Sequence, residues 1–150
     1  MKLAVDFQRT ASATASLGTM TADATRPRRL FVHDVMLGSE ATPADAAILW
    51  KIERCTAAGT STAVTIAYLD PADSASEYDA GENHTIEPTY TASTILLHVP
   101  LNQRATFRWV AAPGFELVMP QTASNGFGIE TDTISTGTPV ITATVHALEM

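Results

Sequence analysis

Few side chains in this 150-residue chain are equipped for chemistry. There is one thiol, Cys55, and there are four imidazoles, His33, His84, His98 and His146. A thiolate beside a histidine is a minimal nucleophilic pair. Cys55 follows Glu53 and Arg54 in a strand-like run, and no motif ties it to any of the four histidines. It reads as a structural thiol. The Gly-Xaa-Ser-Xaa-Gly elbow, the phosphate loop and the dinucleotide fingerprint are all missing. The chain is expected not to be an enzyme, to have no catalytic residues and to need no cofactor.

Metal chemistry has one candidate. Asp79, Glu82, Asn83 and His84 stand close together, and oxygen-rich loops hold calcium. The spacing is not that of an EF-hand, and Ala80 and Gly81 interrupt the acids. The expectation is a solvated acidic loop within an irregular stretch from Asp70 to Thr89, with no metal bound. A single cysteine leaves no intramolecular disulfide and no cysteine-based zinc site. Asn83-His84-Thr85 matches a glycosylation acceptor, but the N-terminal apolar run ends at Asp6, too short for a secretory signal.

Arg26, Arg28 and Arg29 form the one basic cluster. Two readings stand side by side: contact with an acidic surface, or a solvated approach to the next strand. The rest of the chain is acidic, with a net charge of −7. That balance opposes general nucleic-acid binding, which needs lysine and arginine against phosphate. The most apolar stretch, Thr94 to Leu101, is far shorter than the roughly 20 residues of a membrane span. Neither nucleic acid nor membrane is expected as a partner. Charged residues make up 17% of the chain, against roughly 25% in an ordinary domain, and Ala, Thr and Ser replace them. Short side chains tolerate both water and close protein contact, so part of the outer surface is expected to be buried between subunits.

The elements that must position these groups announce themselves by alternation with period two, the mark of a half-buried strand. Leu3, Val5 and Phe7 alternate with polar or small neighbours, as do Ile48, Trp50 and Ile52. The same holds for Val64, Ile66 and Tyr68, for Ile95, Leu97 and Val99, for Phe107 and Trp109, and for Ile141, Ala143 and Val145. Leu30 to Leu37 is more apolar than the alternating runs and is expected to be a central strand covered on both faces. Turn chemistry separates the runs at Ala58-Gly59-Thr60, Asp70-Pro71-Ala72-Asp73, Asn102-Gln103, Pro113-Gly114 and Asn125-Gly126. This pattern predicts one all-β domain over residues 1–150, an antiparallel β-sandwich or barrel. Residues 1–28 are expected to form an N-terminal arm or edge strand. At most one short helical turn is expected near Thr42–Ala47, with Thr42 as N-cap and Pro43 at the first helical position.

Longer phrases carry a resemblance. The run Gly38-Ser39-Glu40-Ala41-Thr42-Pro43-Ala44-Asp45 leads into Ile48-Leu49-Trp50-Lys51-Ile52-Glu53-Arg54-Cys55. Further phrases are Leu69-Asp70-Pro71-Ala72-Asp73, Glu82-Asn83-His84-Thr85, Leu101 to Gly114 and Ala123-Ser124-Asn125-Gly126. Together they resemble a group of virion structural proteins of tailed bacteriophages, of the capsid decoration or cement type. The likeness runs from about Thr21 to the end.

The resemblance implies a jelly-roll sandwich that binds the outside of the capsid and stabilises the head, commonly as a homotrimer. The implied partners are the major capsid protein and other copies of the chain, and the implied location is the capsid surface of the virion. On that reading Arg26, Arg28, Arg29, Phe7 and Trp50 are the candidate interaction residues. The alternative is a receptor- or glycan-binding module of a head or tail fibre, because β-sandwiches often carry sugar sites on their loops.

Overall fold

A computed structural model describes the whole chain, Met1–Met150, as twelve strands and no helix. The strands are β1 (Lys2–Thr10), β2 (Gly18–Ala22), β3 (Leu30–Ala41), β4 (Ala47–Ala57), β5 (Thr60–Ala63) and β6 (Ala67–Tyr68). They continue with β7 (Tyr78–Ile86), β8 (Thr89–Asn102), β9 (Phe107–Val110), β10 (Leu117–Met119), β11 (Gly126–Ile134) and β12 (Val140–Glu149). All pairings are antiparallel. One sheet runs β10-β3-β12-β1-β6, with β9 also on β3; the other runs β5-β7-β2-β11-β4-β8. The chain is thus an all-β antiparallel sandwich, and its strand order is compatible with a jelly roll.

The alternating runs supply the core. Leu3, Val5 and Phe7 of β1, Ile48, Trp50 and Ile52 of β4, Val35 and Leu37 of β3, and Ile141, Ala143 and Val145 of β12 form one buried cluster between the sheets. Each inward position is flanked along its strand by residues that reach solvent, as the pleat requires. Met20 of β2 and Phe127 of β11 close the centre. Phe107 and Trp109 pack against the margin of the core from the edge strand β9.

At most one short helical turn is expected, and none forms; two other local expectations are corrected. There is no helical turn at Thr42–Ala47: Thr42 sits in the left-handed region at φ 52°, wrong for an N-cap, and the Gln103 side chain takes the Ala44 N–H at 2.9 Å. The Asp79–His84 segment is not a loop but lies in β7, paired to β2 from Tyr78 to Glu82. Residues 1–28 are not an arm: β2 lies inside its sheet between β7 and β11, and β1 pairs along its whole length with β12. β6 meets β1 only at Leu3 and Ala4, so the second half of β1 borders its sheet.

The long edge strand β8 is blunted in two places. Gln103 N–H donates to Ala46 O at 2.9 Å, which sets the alternation of the ladder. The N–H groups of Leu97, Val99 and Leu101 therefore point to β4, and the even-numbered positions point outward. Pro100 occupies one of those outward positions and has no N–H to offer. Farther back, Tyr90 faces Cys55 while Ile95 faces Glu53, so Thr91–Thr94 bulges out, with Ser93 at φ 62°.

Candidate functional site: the outer face of the β3–β12–β1 sheet

The solvent face of this sheet carries an apolar row across three strands at one end, running on to Lys2 of β1. Val118 of β10 pairs with Phe31 of β3, Phe31 with Leu148 of β12, and Leu148 with Lys2 of β1. Inward-facing Leu30 and Val32 bracket Phe31, so its ring points out, and the same parity turns out Leu148. Leu69, whose N–H donates to Lys2 O at 3.0 Å, extends the row past β1 and is largely exposed. Two open hollows flank it. One of about 360 Å³ lies among Lys2, His33, Leu69, His146 and Leu148, and one of about 530 Å³ lies among Met1, Lys2, Leu69, Asp70, Asp73 and Leu148.

A single aromatic knob stands beyond the row. Ala112-Pro113-Gly114-Phe115 is a type II turn: Phe115 N–H donates to Ala112 O at 2.9 Å and Gly114 takes φ 84°. Proline sets the first central residue and glycine supplies the positive φ of the second. The turn holds Phe115 out in solvent, 76% exposed. Val110, which pairs with Asp34 at the edge of the same sheet, is exposed as well.

Charge is arranged unevenly around this end. Five of the nine basic side chains are already engaged within the chain. Arg9 donates to Ser16 O, Arg26 pairs with Glu77 at 3.2 Å and Lys51 pairs with Asp132 at 3.1 Å. Arg54 donates to Val118 O at 2.8 Å, and Arg108 pairs with Asp34 at 2.7 Å. The uncommitted four are Lys2, Arg28, Arg29 and Arg104. Three of these lie at the end of the apolar row, interleaved with acids: Lys2 within it beside Asp70 and Asp73, Arg29 one residue before β3 and bonded through its backbone to Met150, and Arg28 lining a hollow with Asp73, Glu77 and Glu149.

Above the row, the same face carries a polar cluster. Asp34 accepts two nitrogens of Arg108 and lies 3.2 Å from His146 Nδ1. The Arg108 hydrogen bonds, with help from His146, hold the Asp34 carboxyl below the usual carboxylate range despite partial desolvation. This cluster is saturated by its own members, so it holds strands β3, β9 and β12 in register and offers little to a ligand.

The residues singled out from sequence are not all brought together. Arg28 and Arg29 are exposed at the apolar end, and Arg26 is tied to Glu77 beside them. Phe7 and Trp50 are corrected: at 0% and 1% exposure both are core, and neither presents a surface to a partner. Cys55 is buried, and desolvation pushes its thiol up to about 11, the opposite of an activated nucleophile. The Asp79–His84 groups diverge: Asp79 is exposed, the Glu82 carboxylate accepts Gln8 N–H at 2.9 Å, and His84 is buried against Thr19 Oγ1 at 3.1 Å. No group of three His, Cys, Asp or Glu side chains converges as metal ligands would.

Sequence reasoning missed the apolar row because Leu30–Leu37 reads as buried on both faces. The available signal was His33-Asp34 in the middle of that run, a polar pair that a doubly covered strand would not carry. No protein-family model matches the chain, and no curated protein matches it.

Proposed function

We propose that the chain is a binding protein and not a catalyst: a decoration or cement protein on the outside of a tailed-phage capsid, acting as a homotrimer against the major capsid protein. The observation that carries this reading is the apolar row Val118–Phe31–Leu148 on the solvent face of a sheet. Apolar side chains lined up across strands on an outer face mark a contact surface. Arginine and an exposed aromatic such as Phe115 are the side chains that anchor protein interfaces. The phrase-level likeness to virion proteins supplies the kind of partner. Seated across the joint between capsid subunits, such a protein adds buried area to both, and specific interfaces bury about 1,200–2,000 Å².

A reconstruction of the intact particle tests this directly. The expected result is hundreds of copies on the head, grouped in threes, with the β3–β12–β1 sheet near the capsid. Particles stripped of the chain and then resupplied with it should regain resistance to heat. A handful of copies at the tail or at one vertex would instead favour the receptor- or glycan-binding module, and no gain in particle stability on full occupancy would remove the cement role.

A further inference from the structure

One sheet edge in this chain is left open. Strand β5 closes the end of its sheet and pairs only with β7. Val64 N–H donates to Ala80 O at 2.9 Å, which fixes the alternation, so the main-chain groups of Ser61 and Ala63 turn away from β7. Thr60–Ala63 holds neither proline nor charge, two of the devices that blunt an edge, and its shortness alone limits fibre growth. An open hollow of about 320 Å³ lies beside this edge, among Ala63, Val64, Ile66, Tyr68, Tyr78 and Asp79. We infer that this edge docks an extended basic segment of a protein partner, which adds a strand to β5, sets apolar side chains into the hollow and holds lysine or arginine against Asp79. The inference goes beyond the capsid reading and does not depend on it.

Charge selects the partner. From Ala58 to Tyr90 the chain holds six carboxylates, Asp70, Asp73, Glu77, Asp79, Glu82 and Glu87, and no lysine or arginine. His84 in this stretch is buried. The cations that reach this side from other strands sit elsewhere: Arg26 on Glu77 at 3.2 Å, Lys2 and Arg28 beside Asp73, and Arg9 on Ser16 O. Asp79 is the one charged residue lining the hollow, and it is exposed. Glu82, opposite Thr62 of β5, accepts Gln8 N–H and sets a second carboxylate nearby. An acidic segment or a phosphate backbone is repelled here, whereas a basic segment is drawn in.

The two kinds of contact divide the work. Main-chain bonds to Ser61 and Ala63 serve any extended segment, and the hollow with Asp79 makes the choice among them. A segment in which apolar and basic residues alternate turns its apolar set to one face, over the hollow, and leaves the basic set to reach the carboxylates at the rim.

The other surfaces carry less. The edge of β8 lacks a donor at Pro100 and bulges at Thr91–Thr94, both of which oppose pairing with an added strand. In the free half of β1, the Gln8 N–H is already taken by Glu82. At the end of the apolar row cations and carboxylates interleave, so charge does not choose an occupant there. The Asp34–Arg108–His146 cluster is complete in itself.

To test the inference, the isotope-labelled full chain is titrated with a short synthetic peptide of alternating Lys and Val, with its Glu-for-Lys counterpart as control. The Lys-Val peptide should shift the amide signals of Ser61, Ala63, Val64, Ile66 and Asp79, and its affinity should fall with added salt. Two variants read the two contacts. Ala63→Pro removes one outward donor at an edge position where proline spares the β7 ladder, and should weaken binding roughly tenfold. Asp79→Lys changes an exposed side chain, and should weaken binding roughly fivefold and reduce its dependence on salt. Both should keep the wild-type amide spectrum outside β5 and β7. Where the Ala63→Pro spectrum departs beyond those strands, Asp79→Lys alone decides.

Equal binding of the Glu-Val peptide, shifts confined to another face, binding that either folded variant leaves unchanged, or no binding would each overturn the inference. So would a concentration-dependent dimer of the chain alone that shifts Ser61 and Ala63 and survives Asp79→Lys, because a second copy would then hold the edge.

Discussion

Arg108 reaches from the edge strand β9 across β3 and grips Asp34 with two nitrogens, Nη2 to Oδ2 at 2.7 Å and Nε to Oδ1 at 3.0 Å. The carboxylate is only 9% exposed while the guanidinium is 61% exposed, so the anion is the partner that depends on the pair. The Asp34 carboxyl is held below its ordinary value in the folded chain. Its contribution to stability is therefore present above the unfolded carboxylate pKa and is lost as pH falls through the folded value. Arg108→Ala should move the midpoint of acid unfolding to higher pH, while Arg104→Ala, an uncommitted arginine, should not. Acid titration followed by circular dichroism compares the two.

His84 behaves in the opposite chemical sense with the same direction in pH. Its ring is buried, its Nε2 meets Thr19 Oγ1 and its Nδ1 has no partner. Burial lowers its pKa below the ordinary value of 6.5. The unfolded chain then binds more protons below that pH, so stability is lost as pH drops through and below the unfolded value. Wild type should be less stable to denaturant at about pH 5.5 than at about pH 7.5, and His84→Gln should show a smaller difference. An unchanged difference in the variant would assign the slope to carboxylates instead.

Trp50 and the arginines separate core from contact surface. Trp50→Ala opens a cavity in a fully buried site and should cost about 3–5 kcal/mol, read from the midpoint of chemical unfolding. Arg28→Glu with Arg29→Glu should change stability by less than about 0.5 kcal/mol, and on the proposed capsid role should lower particle occupancy. Unchanged occupancy would remove the two arginines from the interface.

Gly126 marks the closest approach of β11 to β2. A Cβ there would drive into the Met20 carbonyl and the Thr21 backbone, neither of which can swing aside as a side chain could. Gly126→Ala should cost at least about 3 kcal/mol or prevent folding, whereas Gly114→Ala, with open space around it, should pay only for its positive φ, about 1 kcal/mol.

Cys55 should be inert in the folded chain. With its thiol pushed up to about 11 and sealed from solvent, alkylation by iodoacetamide near pH 8 should require denaturant. Rapid labelling of the native protein would place the thiol at the surface.

The β-sandwich is legible in sequence where one face is buried and the other wet. Leu3-Val5-Phe7, Ile48-Trp50-Ile52 and Ile141-Ala143-Val145 alternate cleanly because each strand has one dry side. Strand β2 escapes notice because its residues are all buried yet include Gly18, Thr19 and Thr21, too small or polar to stand out. Strand β7 is hidden by its acids, since Asp79 and Glu82 read as loop residues although their backbones complete the β2 ladder.

The reversal expected at Asn102-Gln103 is present as the turn Asn102–Ala105, whereas Asn125-Gly126 forms none: Asn125 N–H closes the preceding turn on Thr122 O and Gly126 already begins β11, and both connections cross from one sheet to the other. Local turn chemistry specifies a reversal; burial over the whole chain decides which neighbour the next strand meets. The apolar row escapes for a related reason. Phe31 and Leu148 lie 117 positions apart in the chain, so only tertiary pairing makes them adjacent.

Pro100 has a consequence at the scale of an assembly. Wherever copies of the chain lie close together, a fourteen-residue border strand with all its outward amides free would pair chain to chain into a fibre. One imino acid on the outward register interrupts that growth. Copies can thereby be packed shoulder to shoulder without nucleating an amyloid-like ribbon.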